Sequence, residues 1–493
     1  MTVSQDPRNR SRTKIVATVG PACAERSQLV ELYEAGVDVF RLNMAHGEPD
    51  VQQQHLDNIR SISDEIDEPI AVLVDLGGPK IRLGPVPDDR IFCEMGAEYY
   101  LVSGREPRAP NELTSTYEPL IDELQVGHRV MLADGTVAMS VESKEPGRAR
   151  MRVVERGTIR SRQGINLPGV TLSVPTISDS DRKHAIWAAK AGVDFIGLSF
   201  VRSAKDVLQL KEIVKSCKGT ARVVAKIEKR EALEHLSEIV AAAEAVMVAR
   251  GDLGVEIDVA QMPIEQKWII AVCHKHRRPA IIATQMLDSM QDSPRPTRAE
   301  ATDVANAIFD GADACMLSGE TAVGRYPREA VEMMNRIALA TESSFQGRLP
   351  RVPEGATTEL HGITQAVVRA AGQMAHELNA RLVFVASHSG RTALALSQHR
   401  SFVPTMGVSS SDATLRQMCL YWGVQPLRGA PARDMQELIK HADEFACRSG
   451  YAVKGDRIVI VGGSHLAAGP NQAEMASGVH DVVLVHQVED FRQ

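Results

Sequence analysis

The chain has 493 residues, 44% hydrophobic, 24% charged and only 4% aromatic, with a formal net charge of −7. The length suggests roughly two to four domains with ample core, in a composition ordinary for a globular protein. The acidic balance excludes a general basic surface for nucleic acid, the few aromatics argue against base-stacking platforms, and no apolar run could span a bilayer.

The N-terminus, Met1 to Arg12, is polar and charged and has no apolar signal core. From there, short apolar runs closed by polar or small residues recur along the first two-thirds of the chain. They are Ile15–Val19, Val39–Met44, Ile70–Asp75, Phe195–Phe200, Val223–Glu228, Ala245–Arg250, Ala280–Thr284 and Ala314–Ser318. Stretches with helical periodicity, such as Gln28–Tyr33 and Asp206–Val214, separate most of them. Continuous apolar strands alternating with helices predict a parallel sheet covered on both faces, and eight units are the count for a closed (β/α)8 barrel. Ala35-Gly-Val-Asp, Ala191-Gly-Val-Asp and Asp310-Gly-Ala-Asp each precede a strand, with the glycine placed to end a helix.

Between Gly84 and Pro175 the helical period gives way to β-like runs: Tyr99–Val102, Arg129–Leu132, Val137–Val141 and Ala149–Val154. Turn pairs Asp134-Gly135 and Pro146-Gly147 separate some of them. This predicts a small all-β domain, 85–173, inserted after the third strand of a barrel formed by 1–84 and 174–348. Loops at that end of a barrel overlie the active site, so a lid is expected. Beyond a linker at Leu349–Gly355, a second α/β pattern (Leu382–Ala386, Pro404–Val408, Arg457–Val461, Asp481–Val485) predicts an open-sheet domain over 358–493. Its first strand runs into Ser387-His-Ser-Gly-Arg-Thr392, a loop that suits a bound phosphate or a plain capped turn. The seven cysteines (Cys23, Cys93, Cys217, Cys273, Cys315, Cys419 and Cys447) show no metal or redox spacing and read as reduced thiols of a cytoplasmic protein.

The chemistry gathers at strand ends. Lys226 and Glu228 point the same way on either side of Ile227, and Asp252 follows the next run. Two carboxylates from neighbouring strand ends make a hard-oxygen site for Mg²⁺ or Mn²⁺, and a lysine beside them can stabilise a growing oxyanion. Arg41 closes the second strand, where a guanidinium suits a phosphate or a carboxylate, with a structural ion pair as the rival reading. Thr284-Gln285 and Ser318–Thr321 end the seventh and eighth strands. No GxxxxGK[ST], strand-linked GxGxxG or HExxH occurs, and His274–Arg278 reads as a solvated helix end.

Taken together, several stretches closely resemble the pyruvate kinase family. They are Thr13–Ala22, Arg41–Gly47, Asp75–Arg82, Lys226–Glu228, Met247–Glu256, Ala283–Met290, Arg295–Glu300 and Met316–Thr321, in family order. The resemblance implies transfer of phosphate from phosphoenolpyruvate to ADP, giving pyruvate and ATP in glycolysis. It implies Glu228 and Asp252 as ligands of the divalent ion, Arg41 on the phosphoryl group, and Lys226 at the transferring phosphate and enolate oxygen. Gly251, through its backbone N–H, would help hold the substrate carboxylate. Thr284 would stand near the carbon that is protonated, and Asn43, His46 and Arg82 would border the nucleotide phosphates. The loop Ser387, Ser389, Gly390, Arg391, Thr392 resembles the family's site for phosphorylated effectors, and a homotetramer is the family default. A related metal-dependent pyruvate lyase or aldolase barrel, and a catalytically dead regulatory homologue, are the competing readings.

Two departures from the family pattern stand out. Potassium-dependent members build a monovalent-cation site from Asn, Ser, Asp and Thr, with a Glu nearby. This chain keeps Asn43 and Asp75 but has Ala45 and Leu76 for the hydroxyl residues and Lys80 for the Glu. A lysine ammonium is a fixed monovalent cation, so activity without K⁺ is expected. Relatives also place a lysine before Gly164 to meet nucleotide phosphates; here the residue is Gln163, with Arg162 as the possible substitute.

Overall fold

The structure, a computed structural model, describes residues 10–45, 49–170, 172–345, 362–430, 434–462 and 482–489. Eight parallel strands close into a barrel in which the first pairs with the last, Lys14 opposite Ala314. In chain order they are Lys14–Thr18, Val39–Asn43, Ala71–Asp75, Phe195–Leu198, Arg222–Ile227, Ala245–Ala249, Ala280–Ala283 and Ala314–Leu317. The apolar runs are continuous because both faces of each strand are buried. Val16 joins the cluster inside the barrel, while its neighbours Ile15 and Ala17 pack outward under the helices.

The glycines of the three related turns do end helices: Gly192 takes the left-handed conformation (φ 72°), and Gly36 and Gly311 also have positive φ. The aspartates of the same turns have a role that periodicity did not reveal. Asp38 accepts the N–H of Ile15, Asp194 that of Val72 and Asp313 that of Ala280, at 2.9, 2.8 and 2.8 Å. Each also meets a cation: Lys14 for Asp38, Arg60 and Arg416 for Asp194, Arg400 for Asp313. Arg400 and Arg416 belong to the C-terminal domain, so two of the three aspartates also bind it to the floor of the barrel. Cys419 and Leu420 of that domain complete the cluster inside the barrel from below.

The inserted segment is a β domain with its own core, including Leu101, Val130, Met139, Met151 and Ile159. Its six-stranded sheet contains the four predicted runs: Arg129–Leu132 has the predicted bounds, and the others extend to Glu98–Val102, Val137–Glu145 and Arg148–Glu155. A two-stranded ribbon, Arg90–Cys93 with Gly157–Arg160, went unread in the sequence because arginines and exposed positions mask its alternation. Both turn pairs are turns: Asp134 and Gly135 have φ of 51° and 86°, and Gly147 has 72°.

The C-terminal domain is an open five-stranded sheet in the order Val424–Leu427, Thr405–Val408, Leu382–Ala386, Arg457–Gly462, Val482–Gln487. The last strand is antiparallel. Val424–Leu427, an edge strand carrying Pro426, is the one not predicted. The linker and Asp481 lie outside the described residues. Asp194 is 1% exposed and serves three donors, so Asp194→Ala strands Arg60 and Arg416 without their carboxylate. Urea unfolding of this variant should show a loss of about 3 kcal/mol.

Candidate active site

The C-terminal ends of the barrel strands face the β domain across a cavity of about 480 Å³. Its walls include Arg41, Asn43, Asp75, Lys226, Glu228 and Asp252 from the barrel, and Arg160 and Arg162 from the β domain. Most of the predicted residues are therefore brought together at one mouth, as expected for this fold.

Asp75, 1% exposed, sits at the centre of the charge pattern. Arg41 donates to its Oδ2 through Nε at 2.8 Å and Nη2 at 2.5 Å, and also to the Thr18 hydroxyl at 3.0 Å. Lys226 Nζ lies 3.1 Å from Asp75 Oδ1, 2.8 Å from Glu228 Oε1 and 2.7 Å from Ser199 Oγ. Burial works against the Asp75 charge, but Lys226 and Arg41 together hold its carboxyl below the usual range. Burial likewise disfavours the Lys226 ammonium, and Asp75 and Glu228 outweigh it, raising its pKa. Lys226 is a permanent cation here, suited to meeting a developing oxyanion rather than to moving a proton.

Glu228 is almost fully buried, and its other oxygen, Oε2, accepts the N–H of Phe200 at 2.7 Å. Burial pushes its carboxyl above the usual range; Lys226 opposes this and the Asp252 charge adds to it. Two carboxylates that repel each other at a cavity wall are stabilised by a cation between them, so the donor set fits a divalent ion. Among the described residues no third Asp, Glu, His or Cys joins them in a metal-sized cluster. That suits Mg²⁺, which takes one or two protein carboxylates and fills its other positions from phosphate and water.

Thr284 follows the seventh strand in a strained conformation, with φ of 68°, and Gln285 beside it has 54°. Positive φ is rare for a β-branched residue and marks functional sites. Arg250 holds this turn through the carbonyls of Thr284 (2.9 Å) and Gln285 (3.3 Å) while pairing with Asp303 at 2.8 Å. The Gly251 N–H, expected at a substrate carboxylate, donates to Thr284 Oγ1 at 2.8 Å in this structure. The bond leaves the threonine proton free to point elsewhere.

Asn43 lines the cavity with its Oδ1 turned back onto the Ala45 N–H at 3.1 Å. Arg82 also lines it, donating to the Arg162 carbonyl at 3.2 Å. His46 lies outside the described residues. Gln163 accepts the Arg160 N–H at 2.6 Å, within its own loop. Lys80 is on the wall, its stem against Gly164, where an added Cβ would fall 2.8 Å from Lys80 Cε. The cations that neutralise Asp75 are Arg41 and Lys226, not Lys80. At the eighth strand, Glu320 caps the N–H groups of Leu287 and Ser318, and Thr321 bonds the Thr18 carbonyl, so that end is structural.

The loop Ser387–Thr392 is not part of this site. Arg222 reaches it, donating to the Ser389 carbonyl at 2.8 Å, and Arg222 begins the barrel strand whose far end leads to Glu228. At about 3.3 Å per residue the two places are roughly 20 Å apart along that strand. Gly390 has φ of 76° at the start of the helix Arg391–Gln398. The residues that sequence reasoning missed are Ser199, Phe200 and Arg250. Ser199 and Phe200 close the fourth apolar run, so reading all strand ends together would have found them.

The family model described as pyruvate kinase, barrel domain, matches residues 10–331, and the one described as pyruvate kinase, alpha/beta domain, matches 365–476. A pyruvate kinase of Geobacillus stearothermophilus is 39% identical over 488 residues, covering 98% of this chain and 81% of that protein. One from Staphylococcus haemolyticus is 38% identical over 455 residues, covering 92% and 78%. The chain belongs to the pyruvate kinase family. It is a phosphotransferase of that family, which moves phosphate from phosphoenolpyruvate to ADP and generally needs Mg²⁺ or Mn²⁺. Among the described residues no helix is long and apolar enough to cross a membrane.

Glu228→Gln removes one of the two carboxylates while keeping the size of the side chain. Mn²⁺ binding followed by electron paramagnetic resonance should weaken by roughly 100-fold, the upper end of what an outer partner alone costs, with an unchanged circular dichroism spectrum.

Proposed function

We propose that this pyruvate kinase runs on a divalent ion alone, with no K⁺ requirement, and that its phosphoryl transfer rests on the barrel-mouth residues described above. The observation that carries the K⁺ reading is the state of the two oxygen donors the chain retains. Asn43 Oδ1 already accepts one backbone N–H, and Asp75 is already neutralised by Arg41 and Lys226. Ala45 and Leu76 offer no side-chain oxygen, and Lys80 adds a positive charge to the same cavity wall. A monovalent ion entering there would meet a cationic wall and engaged donors.

In this reading Glu228 and Asp252 would hold the divalent ion, which would supply neutralisation of the phosphate charge. Arg41 and Lys226, held in place by Asp75, present their charge to the phosphoryl group and the enolate oxygen without leaving it. Thr284, its Oγ1 fixed by the Gly251 N–H, directs its proton toward the enolate carbon side of the cavity. Gly251 then acts through Thr284, and substrate carboxylate contact requires that bond to open. Asn43, His46 and Arg82 border the nucleotide phosphates, with Arg160 and Arg162 of the β domain supplying the charge Gln163 lacks. We propose the β domain, 85–173, as the lid that carries them.

The intact set Lys226, Glu228, Asp252 and Thr284 supports an active enzyme over a dead homologue, and the β domain supports it over a lyase. Free thiols at all seven cysteines fit the cytoplasm, and exposed Ile264 and Trp268 on one helix fit subunit contacts of a homotetramer. A phosphorylated effector at Ser387, Ser389, Gly390, Arg391 and Thr392 is part of the same proposal.

Steady-state assays of ATP formation should give equal turnover in K⁺, Na⁺ and tetramethylammonium buffers; strong activation by K⁺ contradicts the reading. Lys80→Glu should lose activity by roughly 100-fold in tetramethylammonium and recover part of it in K⁺.

A further inference from the structure

After the fourth barrel strand comes a short loop, Ser199–Arg202, that touches both the metal carboxylate and the β domain. Ser199 takes a hydrogen bond from Lys226 and gives one to the Leu76 carbonyl, each at 2.7 Å. Phe200 adopts φ of 55°, which aims its N–H at Glu228 Oε2. Its ring packs so tightly on Gly78 that a Cβ there would lie 2.5 Å from Phe200 Cδ2. Phe200 lines the large cavity on one side and a small apolar pocket, with Ile165, Leu167 and Val170, on the other.

Arg202 ends the loop and is held at its backbone by Asp206. Its guanidinium donates to the Leu172 carbonyl at 2.7 Å, the Val174 carbonyl at 2.8 Å and the Thr176 hydroxyl at 3.1 Å. These residues are the segment by which the chain leaves the β domain. Ser173, between them, bonds the other way, to Glu123 and Tyr117 of the β domain. The exit segment is therefore shared: Leu172, Val174 and Thr176 are fastened to the barrel and Ser173 to the β domain. The segment entering the β domain is fastened differently. Arg82 pairs with Gly164 and Leu83 with Ser115, so it belongs to the β domain's own hydrogen bonding.

We propose that Arg202 is a positioning residue: it fixes the exit hinge, and so sets the angle at which Arg160 and Arg162 stand over Glu228 and Asp252. A guanidinium engaging several acceptors of one segment makes strong, directional bonds, and a small error in placing charged groups costs much of their effect. The loop that carries Arg202 also supports Glu228, so metal site and hinge share one rigid piece of chain. The kinetic consequence rests on the phosphoryl-transfer reading; the mechanical one does not.

The test uses the full-length protein with Arg202→Met, which keeps the stem and removes the donors, and Arg202→Lys, which keeps the charge at one point. Hydrogen exchange should quicken in the Arg202→Met variant at peptides spanning 172–178 and in the β domain, with the barrel strands unchanged. The KM for ADP should rise roughly tenfold while that for phosphoenolpyruvate, bound by barrel residues, stays within about twofold; Arg202→Lys should fall between. Unchanged exchange at the hinge overturns the proposal, as does faster exchange with an unmoved KM for ADP. So does a rise in both KM values together with faster exchange in the barrel strands, which marks general destabilisation. Wild-type turnover is measured alongside: its absence speaks against the reaction, and hydrogen exchange alone then decides whether Arg202 fixes the hinge.

Discussion

Asp75, buried at the mouth of the barrel, holds the two cations Arg41 and Lys226 in position. An isolated carboxylate there would cost several kcal/mol of desolvation, and one cation from each neighbouring direction offsets it. Arg41 engages one oxygen and Lys226 approaches the other, and Lys226 in turn reaches Glu228. No member can leave without stranding another, so the cations are held at the place where substrate anions arrive. Electrostatic catalysis needs charges that are already in position and need not reorganise. Here the same ion pairs that stabilise the empty site provide that order.

The barrel divides its two ends between stability and chemistry. At the floor, Asp38, Asp194 and Asp313 each take a backbone N–H of an adjoining strand and a cation, and the C-terminal domain supplies Arg400 and Arg416. At the mouth the comparable carboxylates face a cavity. Three residues with positive φ, Phe200, Thr284 and Gln285, also lie at strand ends beside the site. Arg250 and the Phe200–Glu228 bond show how these conformations are held, by hydrogen bonds with other elements.

Much of this was legible in the sequence, for local reasons. Buried parallel strands must be continuously apolar, so the eight runs marked the barrel, and period 2 placed Lys226 and Glu228 on one face. The β domain showed itself by losing the helical period. What was not legible depends on contacts between distant segments. Nothing near Gly251 announces that its N–H meets Thr284, and nothing near Arg202 announces the carbonyls of 172 and 174. The edge strand Val424–Leu427 and the ribbon Arg90–Cys93 with Gly157–Arg160 escaped because solvent-facing strands carry prolines and charges rather than an apolar run.

The central claim is that the protein itself supplies the monovalent charge of the site. Thallium(I) replaces K⁺ in oxygen sites and is visible by its anomalous scattering. Crystals grown with thallium(I), Mn²⁺ and phosphoenolpyruvate should show manganese at Glu228 and Asp252 and no thallium peak beside Asn43 and Asp75. A thallium ion bound between those two residues would contradict the account.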